Sequence, residues 1–332
     1  MRNLIEKYKL PAIIVGALLL LVLPLLLGNQ YLIRIAIMVG IYVVLASSLN
    51  IIIGFTGMFS LGHGAFYGIG AYASALFSLR FGFSFWIAMP LAGIVAGLIG
   101  AFLGLATGRL RRTFLVFGTL AFGEIVRILI LNWDALTRGP MGIPGIPVPA
   151  VFGFQFRTFN EYYYLILVFV VVSVLLIRRL YNSRIGRAWV AIREDETAAS
   201  TMGMNVWGYK VLAFAIACLF AGVTGSFYAH FVTYISADQF AVTESFLILT
   251  MVALGGTGSI VGPVVGALIL MVVPELFRFL QEYRYILYGL ILIVVMVWKP
   301  EGIAGVKGIF MRAPGSMAFG FRRKKKEEGA SA

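Results

Sequence analysis

Runs of about twenty apolar residues recur along the chain, and this repetition constrains the fold more than any other feature of the sequence. A helix needs roughly 20 mostly apolar residues to cross the hydrocarbon layer of a membrane. Of the 332 residues, 61% are hydrophobic and 12% are charged, whereas a soluble domain is typically about 45–50% apolar and about 25% charged. The chain is therefore predicted to be an all-α polytopic membrane protein, and the soluble globular classes are excluded.

Glycine, proline and charged residues divide the apolar runs into about ten predicted transmembrane helices, with eight as the lower bound. Their approximate bounds are 11–28, 32–53, 58–79, 85–107, 114–132, 162–178, 211–231, 244–255, 260–280 and 284–298. The third and eighth are Gly-rich or short, which is compatible with a broken or re-entrant helix buried within protein. The first run is longer than a usual signal-peptide core and no Ala-x-Ala cleavage signature follows it, so a transmembrane helix is favoured over a signal peptide.

The basic residues predict the orientation of these helices. With the N-terminus in the cytoplasm, 20 of the 27 Lys and Arg residues fall on cytoplasmic segments, which is the bias that membrane proteins show. The predicted organisation is a cytoplasmic N-terminus (1–10), a single transmembrane domain (11–300) and a basic cytoplasmic tail (301–332). The net charge of +13 then reflects topology and contact of the tail with lipid, and nucleic acid is not expected as a partner.

Small residues recur at four-residue spacing in several predicted spans. Because lipid tails are as apolar as leucine, membrane helices associate where small residues let their backbones approach closely. Each pair of small residues taken alone is explained by tight helix packing with no further role. Together the pairs predict a compact helical bundle. The predicted packing positions are Gly64 and Gly68, Gly93 and Gly97, Gly100, Gly104 and Gly108, and Gly262 and Gly266.

Few charged residues lie inside the predicted spans, where an unpaired charge is expensive. Glu124 and Arg127 are one helical turn apart and are predicted to pair, as are Glu275 and Arg278. Each pair is interpreted either as a structural ion pair or as part of a pathway through the membrane. Two similar motifs, Gly-Phe-Thr-Gly at 54–57 and Gly-Gly-Thr-Gly at 255–258, are 201 residues apart, whereas the two Glu–Arg pairs are 151 residues apart. The two separations cannot both mark one duplication, so no internal repeat is assigned.

Catalytic and metal-binding patterns are missing from the sequence. The two histidines and the single cysteine have no neighbouring residues at ligand spacing. No Gly-x-x-x-x-Gly-Lys phosphate loop occurs, so the chain is not expected to hydrolyse ATP itself. A membrane-embedded enzyme is therefore disfavoured, and no cofactor or metal ion is expected on this chain.

The longest charged stretch inside the chain is the predicted cytoplasmic loop 178–210. Three acidic residues favour the N-terminal turn of a helix, two alanines are strong helix formers, and a glycine suits the helix end. These residues are Glu194, Asp195, Glu196, Ala198, Ala199 and Gly203. About nine helical residues are too few to be stable alone in water, so this short helix is predicted to dock against the bundle or a partner, with an ordinary surface loop as the alternative.

The longest predicted external loop, 133–161, is rich in proline and glycine. Proline fixes one backbone dihedral, and Gly-Pro and Pro-Gly pairs form defined turns. The loop is therefore predicted to be stiff, which suits the docking of a soluble protein, with a passive connector as the alternative.

Several motifs along the chain resemble, in the same order, those of the permeases of branched-chain amino acid ABC importers, LivM type. The loop motif is GRAWVAIREDETAASTMG at 186–203. The others are SLGHGAFYGIGAYASALF at 60–77, FGEIVRILILN at 122–132, RGPMGIPGIP at 138–147, AGVTGSFYAH at 221–230, GGTGSIVGP at 255–263 and VWKPEGI at 297–303. The resemblance extends from about residue 33 to residue 305.

The resemblance implies a multi-pass permease of the cell inner membrane that translocates leucine, isoleucine and valine. The implied partners are a soluble substrate-binding protein, a second homologous permease subunit of the LivH type and two ATPase subunits of the LivG and LivF type, which hold ATP and Mg. Urea, short amides and other amino acids remain alternative substrates, and an ATP-independent channel or carrier is a more distant alternative. A heterodimeric and a homodimeric pair of permeases both remain open.

The resemblance also implies a role for the 178–210 loop. In the family this loop forms the short coupling helix that enters a groove on the ATPase, and by position residues 193–203, beginning with Arg193, would make that contact. Thr197 stands where the broader permease signature has a glutamate, so the role of any single acidic residue stays open.

Overall fold

A computed structural model describes residues 28–108, 112–151, 153–276, 284–299 and 302–304, together with Leu21, Val22 and Pro24. Over these residues the chain is mostly helical, as predicted for an all-α membrane protein. Within the described part, six helical stretches are long and apolar enough to cross a membrane. They are Gln30–Phe55, Phe85–Thr107, Phe114–Asn132, Phe159–Tyr181, Val206–Val232 and Ala237–Gly255.

The first half of the described chain contains four long helices. They are α1 (Gln30–Asn50, continued by a π-helical turn at Ile51–Phe55), α2 (His63–Phe81), α3 (Phe85–Thr107) and α4 (Arg112–Asn132). Short elements follow α4: α5 (Asp134–Thr137), a 3-10 turn (Gly139–Met141), β1 (Ile143–Pro144), β2 (Ala150–Val151) and β3 (Phe154–Gln155). We call the segment between α4 and α6, residues 133–158, the Pro-rich loop.

The second half contains helices of very different length. They are α6 (Phe159–Tyr181), α7 (Arg184–Glu194), α8 (Glu196–Thr201) and α9 (Val206–Val232), followed by β4 (Tyr234–Ile235), a 3-10 turn (Ala237–Phe240), α10 (Val242–Gly255), α11 (Gly262–Leu276) and α12 (Arg284–Trp298). We call residues 182–205, which join α6 to α9 and contain α7 and α8, the polar segment. Because α6 runs from the Pro-rich loop to the polar segment, these two segments lie at opposite ends of the bundle.

Most predicted spans agree with the helices to within a few residues, and 85–107 and 284–298 coincide with α3 and α12. The prediction was wrong at the third span, which begins at His63 instead of residue 58. The preceding turn is not helical because Gly57 takes a left-handed conformation (φ +71°) and the N–H of Met58 returns to the carbonyl of Ile52 at 3.1 Å. The predicted first span 11–28 and the tail 301–332 lie almost wholly outside the described residues.

Helix α9 packs at the centre of the bundle, against α3 on one side and α2 on another. The glycines of α3 face α9 at close range: a Cβ on Gly97 would lie 3.1 Å from the carbonyl oxygen of Ala215, and one on Gly104 would lie 3.1 Å from the Cα of Val211. Gly93 and Gly100 contact Val223 and Cys218 of α9 in the same way. The stripe of small residues on α3 therefore sets the separation of these two helices.

The tightest crossing of α2 and α9 uses glycines that the four-residue spacing did not single out. A Cβ on Gly225 would collide with the carbonyl oxygen of Tyr67 and lie 2.8 Å from the backbone nitrogen of Ala71. A Cβ on Gly70 would collide with the backbone of Gly222. The two backbones are thus in direct contact at this point.

The other predicted packing glycines contact α10 and the elements next to it. A Cβ on Gly64 would lie 2.9 Å from the Oγ of Ser245, and one on Gly68 would lie 2.9 Å from the Cβ of Phe240. Gly262 and Gly266 of α11 lie against the C-terminal part of α10, Gly255 included. These contacts place α10 between α2 and α11.

Candidate functional site at the polar segment

The polar segment begins with α7, an amphipathic helix held on the bundle by one face. The side chain of Ser183 caps it by accepting a hydrogen bond from the N–H of Gly186 at 3.4 Å. Trp189 is fully buried, and its indole N–H donates to the carbonyl of Tyr209 in α9 at 2.8 Å. Ile192, one turn later, is also buried. This spacing fixes α7 on the first turns of α9.

The short helix predicted in this segment is α8, and it has six residues where about nine were expected. Asp195 leaves the helical conformation (φ −153°, ψ 108°) and separates α8 from α7. Its Oδ1 accepts hydrogen bonds from the N–H groups of Thr197 at 2.9 Å and Ala198 at 3.0 Å, which is the usual arrangement of an N-cap. Glu194, predicted in the first turn of this helix, is instead the last residue of α7.

The end of α8 has the geometry expected of a helix terminated by glycine. Gly203 lies just beyond the last turn with φ +81°, and its N–H donates to the carbonyl of Ser200 at 3.0 Å. Glycine adopts this left-handed conformation at no steric cost. Met202 beside it is 85% exposed, so this end of α8 presents an apolar side chain to the surroundings.

One face of α8 is fixed to the chain itself. Ala199 is buried, and the Nζ of Lys210 donates to the Oε1 of Glu196 at 2.6 Å. The Lys210 side chain is 8% exposed, and it belongs to α9, which begins at Val206. Lys210 was predicted to lie in the loop 178–210, but α9 begins at Val206, five residues before the predicted span 211–231.

Arg193, predicted as a contact for a partner, is directed toward its own chain. Its Nη1 donates to the carbonyl of Gly54 at 2.7 Å, and its Nη2 donates to the Oε1 of Glu194 at 2.8 Å. Of the seven residues predicted in this segment, Arg193 and Glu196 thus bond to residues outside α7 and α8, and Ala199 is buried. The other four, Glu194, Asp195, Ala198 and Gly203, are exposed.

The predicted ion pair of α4 is present. The Nε of Arg127 lies 3.0 Å from the Oε1 of Glu124, and its Nη1 lies 3.3 Å from the Oδ1 of Asp238 in the 3-10 turn before α10. The pair therefore also joins α4 to that turn. Glu275 accepts a hydrogen bond from the hydroxyl of Tyr31, while Arg278, its predicted partner, lies outside the described residues.

The Pro-rich loop at the opposite end is fixed by side-chain contact to α9 and by backbone contact to β4, which follows α9. Ile143 pairs with Ile235 in an antiparallel bridge between β1 and β4. The Nδ1 of the buried His230 lies 2.6 Å from the carbonyl oxygen of Pro147, and a carbonyl only accepts, so Nδ1 carries the proton. The Nε2 then accepts from the hydroxyl of Ser74 at 2.9 Å. The loop is thus held in one conformation over its middle part.

The second histidine also has a structural setting. His63 is buried and its Nε2 lies 2.8 Å from the Oγ of Ser48. Among the residues that the structure describes, no group of three or more His, Cys, Asp or Glu side chains is arranged to hold a metal ion.

Sequence reasoning did not single out Lys210 or Asn50. The Oδ1 of Asn50 accepts from the N–H of Gly258 at 2.9 Å, and its Nδ2 donates to the carbonyl of Ser259 at 2.7 Å. Asn50 could have been noticed in the sequence because it lies just before the 54–57 motif. That motif resembles the 255–258 motif, and Asn50 contacts Gly258 of the latter.

Comparison with known proteins gives one consistent result. A family described as branched-chain amino acid transport system, permease component, matches residues 31–296. The high-affinity branched-chain amino acid transport system permease protein LivM of Salmonella typhimurium is 39% identical over 292 residues, which are 81% of this chain and 69% of the relative. The LivM protein of Escherichia coli K12 is 38% identical over the same shares. The LivH permease protein of Salmonella typhimurium is 27% identical over 80% of this chain and 91% of the relative. No solved structure matches.

Proposed function

We infer that this chain, which belongs to the branched-chain amino acid transport permease family, is the LivM-type membrane subunit of an ATP-driven importer of branched-chain amino acids. The observation that carries this function is the 39% identity to a LivM permease over 81% of the chain. The multi-pass helical fold agrees with it. The substrates would be leucine, isoleucine and valine.

The basic residues and the fold together support one topology in the inner membrane. The polar segment, with three arginines, and the end of α6, with Arg178 and Arg179, would lie in the cytoplasm. The Pro-rich loop, at the other end of α6, would then face the outside. With the first predicted span and α12 included, about ten helices form a single transmembrane domain with both termini in the cytoplasm.

The exposed side of α8, within the polar segment, is suited to contact an ATPase subunit. Helix α8 is capped by Asp195 and ended by Gly203, so it keeps a defined shape although it has only six residues. Ala198 and Met202 are exposed there, and an apolar residue at the end of a small helix fits a groove on a partner. ATP and Mg would be held by two such ATPase subunits, and the chain itself would carry out no hydrolysis.

The Pro-rich loop is suited to receive a soluble binding protein. It is held by the β1–β4 bridge and by the hydrogen bond between His230 and Pro147. A surface that is already ordered loses little conformational entropy when a partner binds. The exposed Met141 gives this surface an apolar contact.

The work of such a subunit is conformational. The binding protein delivers the amino acid outside, the ATPase subunits close on nucleotide inside, and the bundle shifts between outward-facing and inward-facing states. A partner can shift this equilibrium only by binding one state better than the other. A second permease subunit, of the LivH type that shares this family, would complete the translocation path.

Reconstitution in proteoliposomes tests the proposal. The chain is purified with a LivH-type subunit, two ATPase subunits and the binding protein, and uptake of labelled leucine, isoleucine, valine and urea is measured. We expect uptake of the three amino acids to require both ATP and the binding protein. Counterflow of leucine by this chain alone would refute the ATP-driven function, and uptake of urea alone would refute the substrate.

A further inference from the structure

Arg193, at the C-terminal end of α7, lies against two glycine-containing turns that are 201 residues apart in the sequence. The first Gly turn (54–57) follows α1, and the second Gly turn (255–258) ends α10. The Nη1 of Arg193 donates to the carbonyl of Gly54 in the first Gly turn at 2.7 Å. An arginine of the polar segment is therefore bonded directly to the end of a membrane helix.

Glycine is present in both turns where the arginine side chain passes. A Cβ on Gly57 would lie 2.8 Å from the Cγ of Arg193, and a Cβ on Gly258 would lie 2.5 Å from its Nη1. Both glycines also have positive φ, +71° and +80°. Any larger residue would displace the arginine and strain the turn.

Asn50 holds the two Gly turns together next to the arginine. Its amide bridges from the end of α1 to the backbone of Gly258 and Ser259 through two hydrogen bonds of 2.9 and 2.7 Å. The chain after α12 joins the same place, because the N–H of Ile303 donates to the carbonyl of Leu254 at 3.0 Å. Three segments that are distant in sequence thus meet at the Gly turns.

The guanidinium of Arg193 also binds Glu194, the residue directly before the cap of α8. One rigid, planar group therefore contacts the boundary of α7 and α8 and the backbone of the first Gly turn. A displacement of α8 that carries α7 with it would therefore change this contact between the polar segment and the end of α1.

We propose that Arg193 is a positioning residue that transmits movement of α7 and α8 to the junction of the two Gly turns, and through it to the ends of α1 and α10. This inference rests on the proposed function, in which an ATPase subunit moves α8. It differs from the expectation drawn from the family resemblance, which placed Arg193 in the contact with the ATPase.

The test uses the complete reconstituted importer with Arg193→Ala and Arg193→Lys. Copurification of the ATPase subunits, ATP hydrolysis and leucine uptake are measured on the same preparations, with thermal unfolding as a check of folding. In Arg193→Ala we expect unchanged copurification, continued hydrolysis, and at least a fivefold decrease in leucine transported per ATP, the lower range of allosteric coupling, about 5–150-fold. Arg193→Lys keeps the charge without the planar fork, so an intermediate ratio is expected.

Two further variants sharpen the test. Arg187→Ala removes the same charge from an exposed position of α7, where the guanidinium donates to the carbonyl of Asn182, and should leave the ratio unchanged. Gly258→Ala keeps Arg193 but displaces its guanidinium, and should lower the ratio as Arg193→Ala does. Asn50 is left intact in both variants.

Two results would overturn the inference. One is an unchanged ratio of transport to hydrolysis in both Arg193→Ala and Gly258→Ala. The other is loss of the ATPase subunits from Arg193→Ala, which would show that the arginine contacts the ATPase. Failure of the proposed function is distinguished from both, because it appears as absence of ATP-dependent uptake in the unmodified importer, and the inference then falls with it.

Discussion

A single methyl group on Gly225 tests the close approach of α2 and α9. Its Cβ would collide with the carbonyl of Tyr67 and lie 2.8 Å from the nitrogen of Ala71. Both atoms belong to the backbone of α2, so no side chain can rotate away and the helices must separate. Overpacking of a dense interior costs about 1–3 kcal/mol, and contact with two backbone atoms of α2 places Gly225→Ala in the upper part of that range. The higher helix propensity of alanine offsets up to about 1 kcal/mol.

We therefore expect Gly225→Ala to lower the free energy of unfolding in detergent by about 2 kcal/mol, measured by denaturant titration with a thermal melt as a second probe. Gly289→Ala in α12 is the matched control, because its Cβ would meet no atom within 4 Å. This control should gain up to about 1 kcal/mol from helix propensity alone. Equal or greater stability of Gly225→Ala would refute the close approach.

Three further predictions concern the two ends of the bundle. His230→Phe removes the donor to the carbonyl of Pro147, a hydrogen bond worth about 0.5–1.5 kcal/mol, and limited proteolysis of the Pro-rich loop should become faster; an unchanged cleavage rate would contradict the anchoring. Met202→Asp places a charge at the exposed end of α8, and less ATPase should copurify while the melting temperature stays the same; full retention would exclude Met202 from the contact. Lys210→Met should lower stability by about 1 kcal/mol, since Glu196 is half exposed, and Glu196→Gln should then cost less than in the wild type; additive effects would show that the pair is not coupled.

Hydropathy located the long helices because the thickness of a bilayer fixes the length of an apolar helix. Helix α3 coincides with its predicted span because Gly108 and Arg109 end the apolar run immediately after Thr107. The start of α2 was predicted five residues too early because residues 58–62 are apolar or small but belong to a turn. Hydropathy measures composition and does not distinguish a buried turn from a helix.

The candidate site was predictable only in its local features. The role of Asp195 as an N-cap and the positive φ of Gly203 depend on neighbouring residues alone, so the sequence predicts both. The inward direction of Arg193 depends on Gly54, and the salt bridge of Glu196 depends on where α9 begins. The similarity of the two Gly turns is visible in the sequence, but nothing local specifies that they touch.

Helix α9 has a bonded residue near each end, Lys210 on Glu196 of the polar segment and His230 on Pro147 of the Pro-rich loop. The two residues are twenty positions apart, so about 30 Å of continuous helix separates them. In the proposed topology this one helix connects the outside to the cytoplasm mechanically. Thermodynamic reciprocity then applies: if nucleotide on the ATPase subunits changes the affinity for the binding protein by some factor, the binding protein changes the affinity for nucleotide by the same factor.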